Sequence, residues 1–331
     1  MRPTILILPE GALYRDLFPP AVREALGAFA DVRENPGGDG RWPPERLYPA
    51  LAEVDAIVTG WGSPKIDDAV LDAAPKLRIV GHAAGTIQFV GSEALFRRGI
   101  PIVNANAAIG PYVGEMALAL TLAGLRQLAR HDRAMRGDRT WGDRDVVPET
   151  LFGRRVGLVG LGATARAFLR VLKPFDCEIA AVDPNVKAGA APEGVDLLPL
   201  DDLLRRSEIL SLHAASLPET RHMIGRRELA LLPDGALVVN TARGQLVDPD
   251  PLLDELRSGR LRAALDVTEP EPIPADHPFR DLPNILVSPH IAGPTPGRRW
   301  EMAAMVVEDL RRFFAGEPVL HAASPVGLRM D

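Results

Sequence analysis

Short aliphatic runs alternate with amphipathic stretches along most of the chain. In the first third, runs at 4–8, 56–59, 77–81 and 100–104 read as strands, and 67–74 and 92–98 read as helices. Strand and helix taking turns implies parallel strands joined by crossover helices. A long helical pattern then runs from Pro111 to about Arg136, where Gly137, Trp141-Gly142 and Val146-Val147-Pro148 break it. It reads as a bridge into a second domain. Beyond it the alternation restarts, with strands predicted at 155–159, 178–182, 209–213, 236–240, 263–267 and 285–287 and helices at 163–172, 200–206 and 250–258. That order describes a doubly wound α/β sheet. The tail 298–314 carries Trp300, Ala303, Met305, Val306, Leu310 and Phe313 at helical spacing and is expected to pack back on the first domain. The predicted division is therefore 1–105 with 295–331, and 106–294.

Length supports two domains, because 331 residues exceed the size at which one core keeps growing. A cleft between them is a natural place for a site. A formal net charge of −6 and a pI near 5.7 argue against nucleic acid as a partner, which would need a basic stripe. The single cysteine, Cys177, rules out an internal disulfide, offers no metal cluster and fits a reducing compartment, with cytoplasm the default. The apolar run after Thr4 is too short for a signal peptide. The longest membrane-like stretch, 116–125, lies between Glu115 and Arg126 and is about half the ~20 residues a span requires, so a buried helix is expected and no membrane contact.

Val156-Gly157-Leu158-Val159 runs straight into Gly160-Leu161-Gly162-Ala163-Thr164-Ala165, which opens a helix. Gly160 permits a tight turn, and Gly162 lets backbone approach a pyrophosphate held at the helix N-terminus, with Ala163 and Thr164 in its first turn. A glycine pair alone is weak, since any tight strand-to-helix turn favours glycine. The second strand of this half ends in Asp183, near the ~20-residue offset at which an acid meets the adenosine ribose hydroxyls. A carboxylate there repels a 2′-phosphate, so NAD is favoured over NADP. The bland alternative is an ordinary turn aspartate before Pro184.

Three later segments carry a resemblance. Asn240-Thr241-Ala242-Arg243-Gly244, Asp266-Val267-Thr268-Glu269-Pro270-Glu271-Pro272 and Ser288-Pro289-His290-Ile291-Ala292-Gly293 resemble, in order and spacing, the signatures of the D-isomer-specific 2-hydroxyacid dehydrogenases. The resemblance implies a Rossmann-type NAD-binding domain, a smaller flavodoxin-like substrate domain, a homodimer and hydride transfer between nicotinamide and a small 2-keto or 2-hydroxy acid. The chemistry wants the same residue types. His290 suits a proton donor for the developing alkoxide, because imidazole titrates near neutral pH. Arg243 suits both the substrate carboxylate and the carbonyl. An acid on the far nitrogen of His290 would fix its tautomer and keep it protonated. Family spacing assigns that role to Glu271, five positions after Asp266, and leaves Glu269 a surface neighbour.

By the same resemblance Asp266 accepts a hydrogen bond from the nicotinamide carboxamide, Thr241 and Ala242 line its ring, and Gly293 and Ala215 lie along the cofactor. Ala215 stands where the family usually has Pro. The loop after the fourth strand, with Ala83, Ala84 and Gly85, looks like the family's small-residue loop whose N–H groups bind the substrate carboxylate. His82 either faces substrate or folds away, Trp61 either walls the pocket or fills the core, and Trp141 resembles a position that caps a neighbouring subunit's site in some relatives. Two alternatives stay open. One is an NAD-sensing co-regulator, since such relatives keep the triad; the other is oxidation of another small oxyacid such as phosphite.

Overall fold

A computed structural model describes residues 2–138, 141–143, 146–187 and 189–328. The chain divides into two compact units, one of Met1–Ile109 with Pro294–Met330 and one of Gly110–Gly293.

The first unit is built on five parallel strands, β1 (Thr4–Ile7), β2 (Asp31–Arg33), β3 (Ala56–Thr59), β4 (Ile79–His82) and β5 (Ile102–Asn104), in the order β2-β1-β3-β4-β5. Successive side chains on a strand point to opposite faces, and here both faces are covered. Ile5, Ile7, Val58 and Ile79 join Tyr14, Leu26, Val306 and Leu310 in one core. Leu6, Leu8, Ile57 and Val80 join Leu51, Val70 and Leu95 in the other. That is why these strands read as unbroken apolar runs. The C-terminal helix Trp300–Phe314 packs on this unit, its Val306 so close to Gly81 that a Cβ there would lie 2.4 Å from Val306 Cγ1.

The second unit carries seven parallel strands, β6 (Arg155–Val159), β7 (Glu178–Val182), β8 (Val195–Leu197), β9 (Ile209–Leu212), β10 (Leu237–Asn240), β11 (Arg262–Leu265) and β12 (Ile285–Val287), in the order β12-β11-β10-β9-β6-β7-β8. The strand order reverses between β6 and β9, which is where sheets of this kind place a ligand. The second unit is a Rossmann-type domain, and the first is a second α/β domain. One face of the sheet is covered by Leu203, Leu229, Leu252 and Leu256, the other by Ala117, Leu120, Phe168 and Leu172.

The bridging helix differs from its expected extent. It begins at Asn106, earlier than Pro111, and ends at Leu125; Gln127, at φ 47°, breaks it before a shorter helix Leu128–Arg133 and a wide π turn. The most apolar window of this 20-residue helix has a mean hydropathy of 1.4, long and apolar enough by length and composition to cross a membrane, against the shorter stretch read from the sequence. Within the protein, 44% of its most apolar window is buried, where Ala117, Leu120 and Leu125 pack on the second unit's core.

Candidate active site

The functional side chains of the second unit all follow the C-terminal ends of its strands. After β6, Gly160 has φ 92°, and a Cβ there would lie 2.9 Å from Ala214 N and 3.0 Å from His213 C, so the turn crosses the backbone leaving β9 with no room for a side chain. Gly162 is the N-cap of the helix Ala163–Leu172 and supplies no side-chain cap to its first turn, and a Cβ on Gly162 would meet nothing within 4 Å. Open space over an uncapped helix start is the environment that a pyrophosphate fits. Asp183, after β7, accepts the Leu161 N–H on Oδ2 at 2.8 Å and the Asn185 N–H on Oδ1 at 2.9 Å. The carboxylate thus ties the glycine loop to the end of β7.

Among the described residues, two buried polar atoms along this edge have no protein partner, Thr241 Oγ1 after β10 and His213 Nδ1 after β9. His213 shares its other nitrogen with Ser211 Oγ at 2.9 Å, and burial pushes its pKa down to about 3, so the ring is neutral. An unpartnered hydroxyl at Thr241 fits a ligand carrying its own donors and acceptors, as a nicotinamide amide does. Ala242 is half-buried beside it, and Ala215 lies exposed with its carbonyl taken by Thr220 Oγ1 at 2.7 Å.

The end of β11 holds the histidine loop. Asp266 is 1% exposed; its Oδ1 accepts from Ser288 Oγ at 2.5 Å and Ile291 N at 3.0 Å, and its Oδ2 from Ala292 N at 2.8 Å. The His290 N–H returns to Asp266 O at 2.8 Å. The carboxylate thus ties the histidine loop to the end of β11, and Oδ2, with one bond, keeps a lone pair. The bonds hold His290 at φ 53°, a left-handed backbone that costs a non-glycine residue of order 1–3 kcal/mol and persists only where its surroundings fix it. Its Nδ1 lies 2.5 Å from Glu271 Oε1, with both side chains part-exposed. Gly293 closes the segment.

Arg243 follows β10 on a turn that Asn240 folds, accepting the Ala242 N–H at 3.0 Å and donating to Arg243 O at 2.8 Å. The guanidinium is half-buried, and its Nη1 donates to Ala242 O at 2.7 Å. Burial pushes its pKa down, and the negative charge of Glu271 opposes that in part. Among the described residues no carboxylate forms an ion pair with it, so its charge is available to an anion. Gly244 brings the two segments together: a Cβ there would lie 2.1 Å from both C and O of Thr268 and 2.7 Å from Glu269 N. Gly244→Ala must push them apart and is expected to cost about 1–3 kcal/mol, read as a lower Tm in thermal unfolding.

Sequence reasoning missed Asn240 and Ser288 as loop-setting residues, and it misjudged Glu269. That side chain is part-buried and bonded to Arg221 and His222 rather than idle at the surface. The Asn at a strand end was the one available signal, since Asn favours such turns.

In the first unit, the Ala83 N–H donates to Thr59 O at 2.8 Å and Ala83 is fully buried, so it is not a donor for substrate. Ala84 and Gly85 keep that candidacy, with Ala84 O accepting Ala105 N–H at 2.9 Å. His82 folds inward, 2.8 Å from Thr59 Oγ1, and burial lowers its pKa to about 4. Trp61 is not a core residue; it is 46% exposed beneath the Arg299 guanidinium, 5.3 Å from its ring centre. Trp141 is 85% exposed.

Comparison with known proteins bears on this edge. The model of the D-isomer specific 2-hydroxyacid dehydrogenase NAD binding domain matches residues 118–292. A D-3-phosphoglycerate dehydrogenase of Mycobacterium tuberculosis is 36% identical over 317 residues, covering 95% of this chain and 59% of that protein, so the chain spans little more than half of its length. A glyoxylate reductase of Aeropyrum pernix is 34% identical over 319 residues, covering 93% of this chain and 94% of that one. Among solved structures, an NADPH-dependent glyoxylate/hydroxypyruvate reductase from Sinorhizobium meliloti superposes with a TM-score of 0.79 at 25% identity, covering 99% of this chain and 100% of the other.

Proposed function

Because the chain belongs to the D-isomer specific 2-hydroxyacid dehydrogenase family, and so to the nicotinamide-dependent oxidoreductases of hydroxy and keto acids, we propose that it is an NAD-dependent reductase that interconverts a small 2-keto acid and its D-2-hydroxy acid. The observation that carries the reading is the His290–Glu271 pair, at 2.5 Å, under the same charge field as an unpaired, desolvated Arg243. Gly160, Gly162, Ala163 and Thr164 would hold the pyrophosphate, Asp183 the adenosine ribose, and Thr241 with Ala242 the nicotinamide end. A bound reduced nicotinamide supplies the hydride. Arg243 presents a planar pair of donors to the substrate carboxylate and carbonyl oxygen and stabilises the charge that develops there. His290 donates the proton from Nε2, while Glu271 accepts the Nδ1–H, which orients the ring and balances the charge of the doubly protonated form that donates. Ala84 and Gly85 are proposed as further donors to the carboxylate.

Asp183 carries the cofactor choice. Each of its oxygens accepts one backbone N–H, which leaves lone pairs for two ribose hydroxyls but sets a negative charge where a 2′-phosphate would sit. Steady-state assays with glyoxylate, hydroxypyruvate and pyruvate should give a kcat/KM for NADH about tenfold or more above that for NADPH. Asp183→Ser should narrow that gap. A preference for NADPH in the unaltered protein overturns the role given to Asp183.

A further inference from the structure

Glu269 takes no part in the chemistry proposed above, yet its side chain is more firmly held than that of Glu271. Its Oε1 accepts from Arg221 Nη2 at 2.5 Å, and its Oε2 lies 2.7 Å from His222 Nε2. Partial burial of the carboxyl opposes its charge, but the bonds from His222 and Arg221 outweigh that and hold its pKa below the ordinary glutamate value. His222 in turn is kept in the left-handed region at φ 51°. A histidine stays there only where its neighbours fix it.

Those neighbours lie on both sides of the candidate site. The His222 N–H donates to Gln245 O at 2.7 Å, two residues past Arg243, while its ring reaches Glu269, two residues before Glu271. Ile224 N–H donates to Leu246 O at 3.1 Å and receives Asp248 N–H on its own carbonyl at 3.1 Å, which extends the contact as a short parallel bridge. Ser216 Oγ donates to Gln245 Oε1 at 3.2 Å, and Thr220 Oγ1 donates to Ala215 O at 2.7 Å, so the segment is folded on itself and anchored at its start. Glu271 is part-exposed, so its own burial does little to hold it.

We infer that residues 215–224 form a strap that sets the spacing between Arg243 and Glu271, with Glu269 a positioning residue that works through its bonds with Arg221 and His222. Arg243 and Glu271 leave two different strands. The Gly244 contact brings their backbones together, and the strap fixes the direction in which the Glu271 segment leaves that contact. Displacing the glutamate by even about an ångström would weaken its hold on His290 and cost turnover far more than binding. The inference rests on the functional reading for its effect on turnover, but not for its effect on the histidine.

The test therefore reads the histidine directly. In nitrogen-15 histidine spectra of the purified protein without substrate, the His290 Nδ1 signal is identified by its loss in His290→Asn, and Glu271→Gln marks how it moves when the carboxylate bond is weakened. Glu269→Ala should move the signal the same way, lower kcat about tenfold and leave KM for NADH unchanged, with Glu269→Gln intermediate. Should Glu269→Ala not fold, His222→Asn replaces it, because asparagine tolerates the left-handed backbone and removes only the ring's bond. A signal that stays in place in either folded variant overturns the inference, even where Tm falls. A signal that moves as described in a protein that reduces no 2-keto acid supports the strap and refutes the functional reading. A signal unmoved by Glu271→Gln refutes both.

Discussion

Arg243→Ala is expected to lower kcat/KM for every 2-keto acid that the protein reduces by about a thousandfold or more, while NADH still binds. The side chain is asked to do two things at once. It holds the substrate carboxylate through charge-assisted bonds, worth about 1.5–3 kcal/mol each, and it stabilises the oxygen that gains charge as hydride arrives, a contribution of about 2.7–4 kcal/mol when a preorganised donor is removed. Each 1.36 kcal/mol is a factor of ten in rate, so the two together exceed three decades. Arg243 sits after β10, whereas the glycine loop follows β6, so the pyrophosphate site does not depend on it. NADH fluorescence titration beside steady-state kinetics separates the effects. Arg243→Lys should recover little, because a point charge does not replace a planar fork.

His290→Asn is the second large effect, with a loss of about 10²–10⁴ in kcat from removal of the proton donor. Asparagine is the informative replacement because it accepts the φ of 53° that His290 adopts, and the backbone bonds to Asp266 need no particular side chain. The variant should therefore fold with an unchanged Tm and bind NADH while it reduces keto acids far more slowly. A variant that keeps its kcat would move the proton donor elsewhere.

How far the sequence carried depends on what each element buries. Strands covered on both faces, such as β1, β3, β6 and β9, appear as unbroken apolar runs and were legible to within a residue or so. The edge strands β2 and β8 were not. Each has three residues, Asp-Val-Arg and Val-Asp-Leu, and none of the six is buried, so neither leaves a hydrophobic signal. The start of the bridging helix was misread because Pro111 looks like a first helical residue, whereas it lies inside a helix that begins among small residues at Asn106. At the site, the residues that would do the chemistry were legible from their segments. The residues that hold them were not, because Asp266 and Glu269 act through bonds to loops 22 to 48 positions away, which local pattern does not encode.

The central claim is that hydride passes from a nicotinamide to the second carbon of a small keto acid on this protein. Incubation with NADH deuterated at the transferring position and with glyoxylate, hydroxypyruvate or pyruvate, followed by mass spectrometry of the acids, tests it directly. The account predicts a 2-hydroxy acid carrying one deuterium on carbon 2, formed in step with NADH consumed and lost in Arg243→Ala. NADH that binds but leaves no deuterium in any of the three acids would contradict it.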